Sequence, residues 1–466
     1  MPLIAIETFV TSYSSRKHCV RRATTQMART NLSKVDSSSR PVPPGIRDGN
    51  TMVARSCFAV LVVCILVGGA YFARQSGTNA EAYSNDFNVY YHAAREVIAG
   101  HDPYQSSLAA WTPYLYPPLL AELLIPLAML WLPIAAYLWF LISAASMFGA
   151  ARMSASLSAS LSVPLTGERD AENAAESERT GRRLSLQAAV AAAAILVVFR
   201  FVLDTFNLGQ VNTVVAGLAV AHIYFYARDK KALSAIALVL AASIKLTPAV
   251  FLVYHVAKMR LKFAAACIAI LAGVTALSFL PFEGRGVDAF RVFANRTVRN
   301  EQGYNLADPG NQSLRGAIAR LATRANADDS GTDSRNPAEV LTLVIAALLL
   351  TFAVLAARRA RSELAGAAPF FCCVVLLSPL SWKAHFVILV FPVAYLLSLL
   401  FQPRTPAGAR RLALGTLATS FVLFNLTSPH VIGLAAAEWA DAHSLVALGA
   451  LLIFVATLLR NLGKFG

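Results

Sequence analysis

Apolar runs of about twenty residues recur from one end of this chain to the other, and a water-soluble core has no place for so many of them. A run of roughly 18 or more apolar residues crosses the hydrocarbon layer of a bilayer as a helix. Such runs, a few of them shorter, occupy roughly 53–73, 117–131, 133–151, 185–204, 208–226, 232–257, 263–281, 338–357, 366–381, 385–401, 411–427 and 444–459. They are continuous rather than alternating, which argues against a transmembrane β-barrel. The expectation is an all-α polytopic membrane protein with about 11–13 transmembrane helices. Hydrophobic residues make up 56% of the chain and charged residues 14%, and no soluble nucleotide-binding domain is visible.

The net charge of +15 would suggest nucleic acid in a soluble protein. Here the cations sit in short links between apolar runs: Arg228–Lys231, Lys258–Lys262, Arg358–Arg361, and 402–411 with Arg404, Arg410 and Arg411. Cytoplasmic links carry such charge, so it reports topology and no nucleic-acid partner is expected. The loops at 74–112, 205–209, 282–337, 379–384 and 428–443 then share the outer face. Parity strains that scheme twice. The proline-rich stretch 117–131 should lie along or only partly into the membrane, and 232–257 should return to its own side, broken near Pro248. Residues 1–50 are basic and rich in Ser and Pro, and read as a disordered cytoplasmic tail. Met27 or Met52 can serve as an alternative start, and 53–73 reads as an uncleaved anchor. Residues 51–466 form one integral membrane domain. Cys57, Cys64, Cys267, Cys372 and Cys373 lie in apolar runs and read as small buried hydrophobes. No spacing suggests a metal site, and no cofactor motif is present. No internal repeat of the kind that builds many transporters is visible.

Polar residues next to so much apolar chain are the chemical candidates. Asp86 follows the first run and can act as a general base, although Asn85-Asp86 also suits the cap of a helix. Tyr116, in Tyr114-Leu115-Tyr116-Pro117-Pro118, offers an aromatic wall or an interfacial anchor. Gln210 and Asn212, around Gly209, can bond sugar hydroxyls or join helices. Lys245 interrupts an apolar run, where an ammonium costs roughly 2.5–3.5 kcal/mol on insertion scales, so it should face a cavity or a partner such as a phosphate. The loop 282–337 carries Glu283, Arg285, Arg291, Arg296 and Arg299, then Asn311, Gln312 and Arg315. Its arginines, on the outer face, call for an anionic partner or lipid headgroups. Trp382 and His385 close the set: an aromatic face for a sugar, and an acid, base or phosphate donor.

In order, these segments read D-F-N-V-Y-Y-H-A-A, G-H-D-P-Y, Y-L-Y-P-P-L, L-G-Q-V-N, I-K-L-T-P, N-Q-S-L-R and L-S-P-L-S-W-K-A-H, across residues 80–400. The series resembles the membrane glycosyltransferases of family 87, which have the GT-C fold. The resemblance implies a GT-C-type helical bundle whose outer loops form the active site, with Asp86 essential and His385 in the site. It also implies a substrate-binding set of Tyr91, Tyr116, Gln210, Asn212, Lys245, Asn311, Gln312, Arg315 and Trp382. The expected reaction is metal-independent transfer of a hexose, mannose favoured, from a polyprenyl-phosphate sugar to a lipid or glycan acceptor, with inversion, on the outer face of the inner (plasma) membrane. Asp86 or His385 would take the proton. The rivals are a transporter or flippase of lipid-linked sugars, and a surface-polysaccharide polymerase or ligase.

Overall fold

In the computed structural model, residues 44–78, 85–104, 113–159, 172–282, 286–295, 305–325 and 337–463 are described. The tail before residue 44 and the loop residues Glu283, Arg285, Arg296 and Arg299 lie outside them. The chain divides into two compact units, Met1–Cys64 and Ile65–Gly466, and everything that follows on packing concerns the second.

The described residues form helices α1 to α20 and contain no strand. Five helices are long and apolar enough to cross a membrane: Ala59–Thr78 within α1 (Pro44–Thr78), Leu132–Ser158 within α5 (Leu132–Ala159), α11 (Leu261–Ser278), α14 (Pro337–Arg359), and the segment Lys383–Phe401 that ends in α16 (Val390–Phe401). Two bent pairs raise the number to seven. In one, α6 (Glu172–Val197) meets α7 (Phe199–Leu208) at 68°; in the other, α19 (Leu434–Ala442) meets α20 (Leu445–Asn461) at 51°. That is fewer than the apolar runs suggest, because several runs are short or broken. Shorter apolar helices are α8 (Asn212–Tyr226), α9 (Lys231–Ile244), Thr247–Ala257 with α10 (Val250–Ala257), and α15 (Glu363–Leu376). A 14-residue helix such as α9 rises only about 21 Å.

Both strained stretches are irregular, as parity requires. The first becomes two short helices, α3 (Pro118–Leu123) and α4 (Ile125–Ala128). The second breaks at Lys245, which is extended (φ −146°, ψ 123°), and resumes in a 3-10 turn, Thr247–Ala249. Pro248 explains the position: its ring excludes the helical bond to the carbonyl four residues back, that of Ile244.

At the centre, α15 buries every residue from Leu364 to Leu376, and α16 buries Val390–Leu399. By contrast α11 and α14 keep large apolar side chains such as Leu277 and Leu343 exposed, as lipid-facing helices do. Cys267, Cys372 and Cys373 are buried, whereas Cys64 is exposed. A second apolar cluster gathers on α2 (Asp86–Ile98), where Phe87, Tyr90, Tyr91 and Ala94 form one face and pack with Trp139 and Phe140 of α5. Two of the basic links, 258–262 and 358–361, come together at one end of the bundle. Lys258 donates to the Ala360 carbonyl at 2.9 Å, and Arg260 pairs with Glu363, which also accepts from Tyr254. From that end, α9 runs to Lys245 at the other.

Candidate active site

Asn85, not Asp86, caps α2. Its side chain accepts from the Asn88 amide at 2.9 Å and donates to Ser76 Oγ at 3.0 Å. The Asp86 carboxylate is thereby released from capping, and the Gln210 side chain donates to it. Burial pushes the Asp86 carboxyl above its usual value of 3.8. The Gln210 hydrogen bond and the Lys245 charge oppose that rise, in that order of size.

Gly209 brings Gln210 there. It ends α7 in the left-handed conformation, φ 62° and ψ 29°, which glycine adopts without strain. A side chain would not fit either: a Cβ would lie 2.6 Å from the Phe72 ring and 2.8 Å from Phe87 Cβ. The turn therefore sits directly on the first turn of α2. Trp139 Nε1 fixes it by donating to the Gly209 carbonyl at 2.8 Å. Asn212, first residue of α8, donates to Gln210 Oε1 and accepts from Lys245 Nζ at 2.8 Å. A continuous chain of polar contacts thus runs Asp86–Gln210–Asn212–Lys245.

Tyr90 braces this chain from the side. Its hydroxyl donates to Tyr116 Oη at 2.9 Å and accepts from the Val211 amide. Tyr104 in turn donates to the Tyr116 carbonyl at 2.7 Å. Tyr90 is fully buried and lies one helical turn from Asp86, on the same face.

Lys245 opens into a small, partly open pocket. Its polar lining is Asn212, Lys245, Thr247, Ser378 and His385; its apolar lining is Val215, Val374, Val375 and Ile388. His385 belongs to the 3-10 turn Lys383–Leu389. Its ring donates to the Leu380 carbonyl, which also accepts from Ser378 Oγ at 2.7 Å. An ammonium with the Thr247 hydroxyl beside it, in a small and mainly apolar pocket, suits a phosphate ester. A carboxylate across two amides suits a hydroxyl that must lose a proton.

Of the residues singled out from the sequence, the structure brings Asp86, Gln210, Asn212, Lys245 and His385 together, with Tyr116 behind Tyr90. Others are engaged elsewhere. Tyr91 donates to the Leu130 carbonyl at 2.8 Å. Asn311 donates to the Leu306 and Pro379 carbonyls and accepts from the Ser381 amide. Gln312 donates to the Pro309 and Asp441 carbonyls. Both amides are fully buried and staple the loop before α13 (Leu314–Ala325) to the turns at 379–381 and 441. Arg315 pairs with Glu339 at 3.0 Å, Arg291 with Asp288 at 3.1 Å, and Trp382 packs on Gly310. These contacts are structural, so the substrate-binding role expected of Tyr91, Asn311, Gln312, Arg315 and Trp382 finds no support in them. Tyr90, Thr247 and Ser378 were not singled out. For Tyr90 the signal was there, at four residues from Asp86.

The sequence model for glycosyltransferase family 87 matches residues 114–379. That span holds Tyr116, Gln210, Asn212 and Lys245 and leaves Asp86 and His385 just outside it. The chain is also similar to polyprenol-phosphate-mannose-dependent alpha-(1-2)-phosphatidylinositol pentamannoside mannosyltransferases. With that of Mycobacterium tuberculosis it shares 26% identity over 400 residues, 84% of this chain and 83% of the relative. With that of Mycolicibacterium smegmatis it shares 26% over 398 residues, 84% and 86%. A phosphatidylinositol mannoside mannosyltransferase of the latter species is 27% identical over 327 residues, 66% of this chain and 68% of the relative.

Proposed function

We infer that this chain, which belongs to glycosyltransferase family 87 and is a membrane glycosyltransferase, moves a hexose from a polyprenyl-phosphate sugar to a hydroxyl of a lipid or glycan acceptor. Mannose is the favoured sugar, because the relatives' names carry polyprenol-phosphate-mannose. The acceptor oxygen attacks the anomeric carbon from the face opposite the phosphate, so the configuration inverts. The bond from that carbon to the phosphate oxygen breaks, and its electron pair leaves on the polyprenyl phosphate. Asp86 takes the acceptor proton. Lys245, with the Thr247 hydroxyl beside it, receives the phosphate as charge builds on it. Family membership removes the transporter and flippase readings. The relatives' phosphate-linked donor favours this reaction over a pyrophosphate-dependent polymerase or ligase.

One observation carries the reading: the unbroken Asp86–Gln210–Asn212–Lys245 chain. It sets a proton acceptor and a phosphate-binding cation on opposite sides of two amides. The basic links lie at the far end of α8 and α9 from this site. The positive-inside rule therefore faces the site outward from the plasma membrane. The test is transfer by the purified chain from polyprenyl-phosphate mannose to an alkyl mannoside, with the product anomer read by NMR. Transfer with retention, or full transfer by Asp86→Asn, would overturn the mechanism. Transfer from a nucleotide sugar instead would overturn the donor.

A further inference from the structure

A second polar group lies beside the donor pocket, on α7. Along that helix Phe201 and Thr205 are buried, while Arg200, Asp204 and Asn207 recur at the spacing of one face. Thr205 Oγ1 donates to the Ala384 carbonyl at 3.1 Å, which packs α7 against the turn that carries His385. Lys383, in the same turn, pairs with Asp441 of α19 at 2.5 Å. The Arg200 guanidinium is committed to the Phe424 carbonyl and to Thr427 Oγ1 at 3.3 and 3.1 Å. Asp204, partly buried, makes no hydrogen bond or ion pair of its own with another described residue. It nevertheless feels the charges of Arg200, Lys383, Asp441 and His430. From Asp204 to Gly209 is about 8 Å along the helix axis, and the next residue, Gln210, holds Asp86.

The charges here select the ligand. The Arg200 and Lys383 charges balance those of Asp204 and Asp441. Asp204 is left as an acceptor of hydrogen bonds, with the exposed Asn207 amide one turn away. With the charges in balance, nothing here draws an anionic headgroup or phosphate. A neutral polyol, whose hydroxyls donate to a carboxylate and exchange bonds with an amide, fits.

We propose that Asp204 and Asn207 form an acceptor subsite that binds the hydroxyls of a sugar unit of the acceptor, next to the unit glycosylated at Asp86. This rests on the transferase reading above and adds to it the place and chemistry of acceptor recognition. Asp204 selects and orients; it takes no part in bond making.

The experiment uses the full chain in nanodiscs, wild type, Asp204→Asn and Asn207→Ala, with polyprenyl-phosphate mannose and an alkyl dimannoside. The expected result is a five- to tenfold rise in KM for the dimannoside in Asp204→Asn and a smaller rise in Asn207→Ala. KM for the donor should stay within twofold of wild type. A dimannoside KM within twofold of wild type in both variants overturns the proposal, as does an equal rise in both KM values. Dimannoside binding measured by calorimetry without donor reads the subsite apart from turnover. If the wild type fails to transfer, the transferase reading falls, while a Kd raised five- to tenfold by Asp204→Asn still supports the subsite. An unchanged Kd, or no binding by the wild type, overturns it.

Discussion

Gly209→Ala puts the coupling between the α7 turn and the Asp86 carboxylate to a quantitative test. Two costs add. Holding alanine at φ 62° places an L-residue in the left-handed region, at about 1–2 kcal/mol. The new methyl would also sit 2.6 Å from Phe72 Cζ and 2.8 Å from Phe87 Cβ. The Phe72 ring is boxed in by Phe87 and Phe140, with ring centroids 6.4 and 6.1 Å away. Phe87 Cβ cannot swing, because it is fixed to the first turn of α2. Overpacking of this kind costs about 1–3 kcal/mol, so the expected loss is about 2–5 kcal/mol. Relief requires moving the start of α2, and Asp86 moves with it. A displacement near 1 Å at a reacting group can cost about 100-fold. The prediction is a lowered melting temperature together with a fall in kcat/KM of about 10- to 100-fold. Gly415→Ala is the control. Gly415 lies within α17 (Ala407–Phe421), and nothing is within 4 Å of its added Cβ. It should gain about 0.5–1 kcal/mol and keep full activity. If Gly209→Ala melts early but keeps kcat/KM within twofold of wild type at a temperature where it is folded, Gly209 does not position Asp86.

Asp86→Asn should lower transfer by about 100- to 10,000-fold, the span of general-base effects, while the chain still folds, because Asn85 holds the cap. Burial raises the folded-state pKa of Asp86 above 3.8, so the folded protein holds that proton more tightly than the unfolded chain. Ionisation therefore costs stability as pH rises from 3.8 through the folded value. Differential scanning at pH 4 and pH 7 should show Asp86→Asn gaining relative to wild type at the higher pH; a gain at pH 4 alone contradicts the argument. Gln210→Met removes a hydrogen bond that favours ionised Asp86. The acid limb of the kcat/KM profile should then move to higher pH, and a uniform fall with an unmoved limb would detach Gln210 from Asp86. Lys245→Met removes the cation proposed to meet the donor phosphate. It should lower kcat/KM for polyprenyl-phosphate mannose by about 10- to 100-fold, the loss of one charged hydrogen bond; loss confined to the acceptor KM would place the donor elsewhere.

The core of the site was legible because polar groups in apolar runs are expensive. Asp86, Gln210, Asn212 and Lys245 each stood out as a cost that needed a partner, and the structure makes them largely one another's partners. The break near Lys245 was legible for a local reason, since Pro248 cannot continue α9. Asn311 and Gln312 looked alike in kind, and here their side chains bond backbone carbonyls. Irregular loops leave buried backbone groups that need bonds, and amides satisfy those as readily as they bind sugars. Their carbonyl partners at Pro379 and Asp441 are 68 and 129 residues away, a distance no local pattern records. Tyr90 was legible from its spacing, four residues after Asp86, but its partner Tyr116, 26 residues on, was not.

The site stands where three helical segments stop together: α7 at Gly209, α9 at Lys245, and α15 before the turn at Ser378–Trp382. Each stop exposes carbonyls and amides that lipid would leave unsatisfied, and the broken ends meet those needs among themselves and with nearby loops. Ser381 donates to the Val375 carbonyl, Thr205 to that of Ala384, and Asn311 and Gln312 clamp the turns from the adjoining loop. A carrier needs such ends to part so that the pocket opens to either side. Here every end is cross-linked to another element by buried or partly buried hydrogen bonds, and opening the site would leave several of them unmade at about 1–3 kcal/mol each. That rigidity hinders alternating access. It helps a transfer reaction, where carboxylate and cation must already be in place when the sugar leaves its phosphate. The same polar breaks that would let a membrane protein move therefore hold the proposed catalytic groups of this chain still.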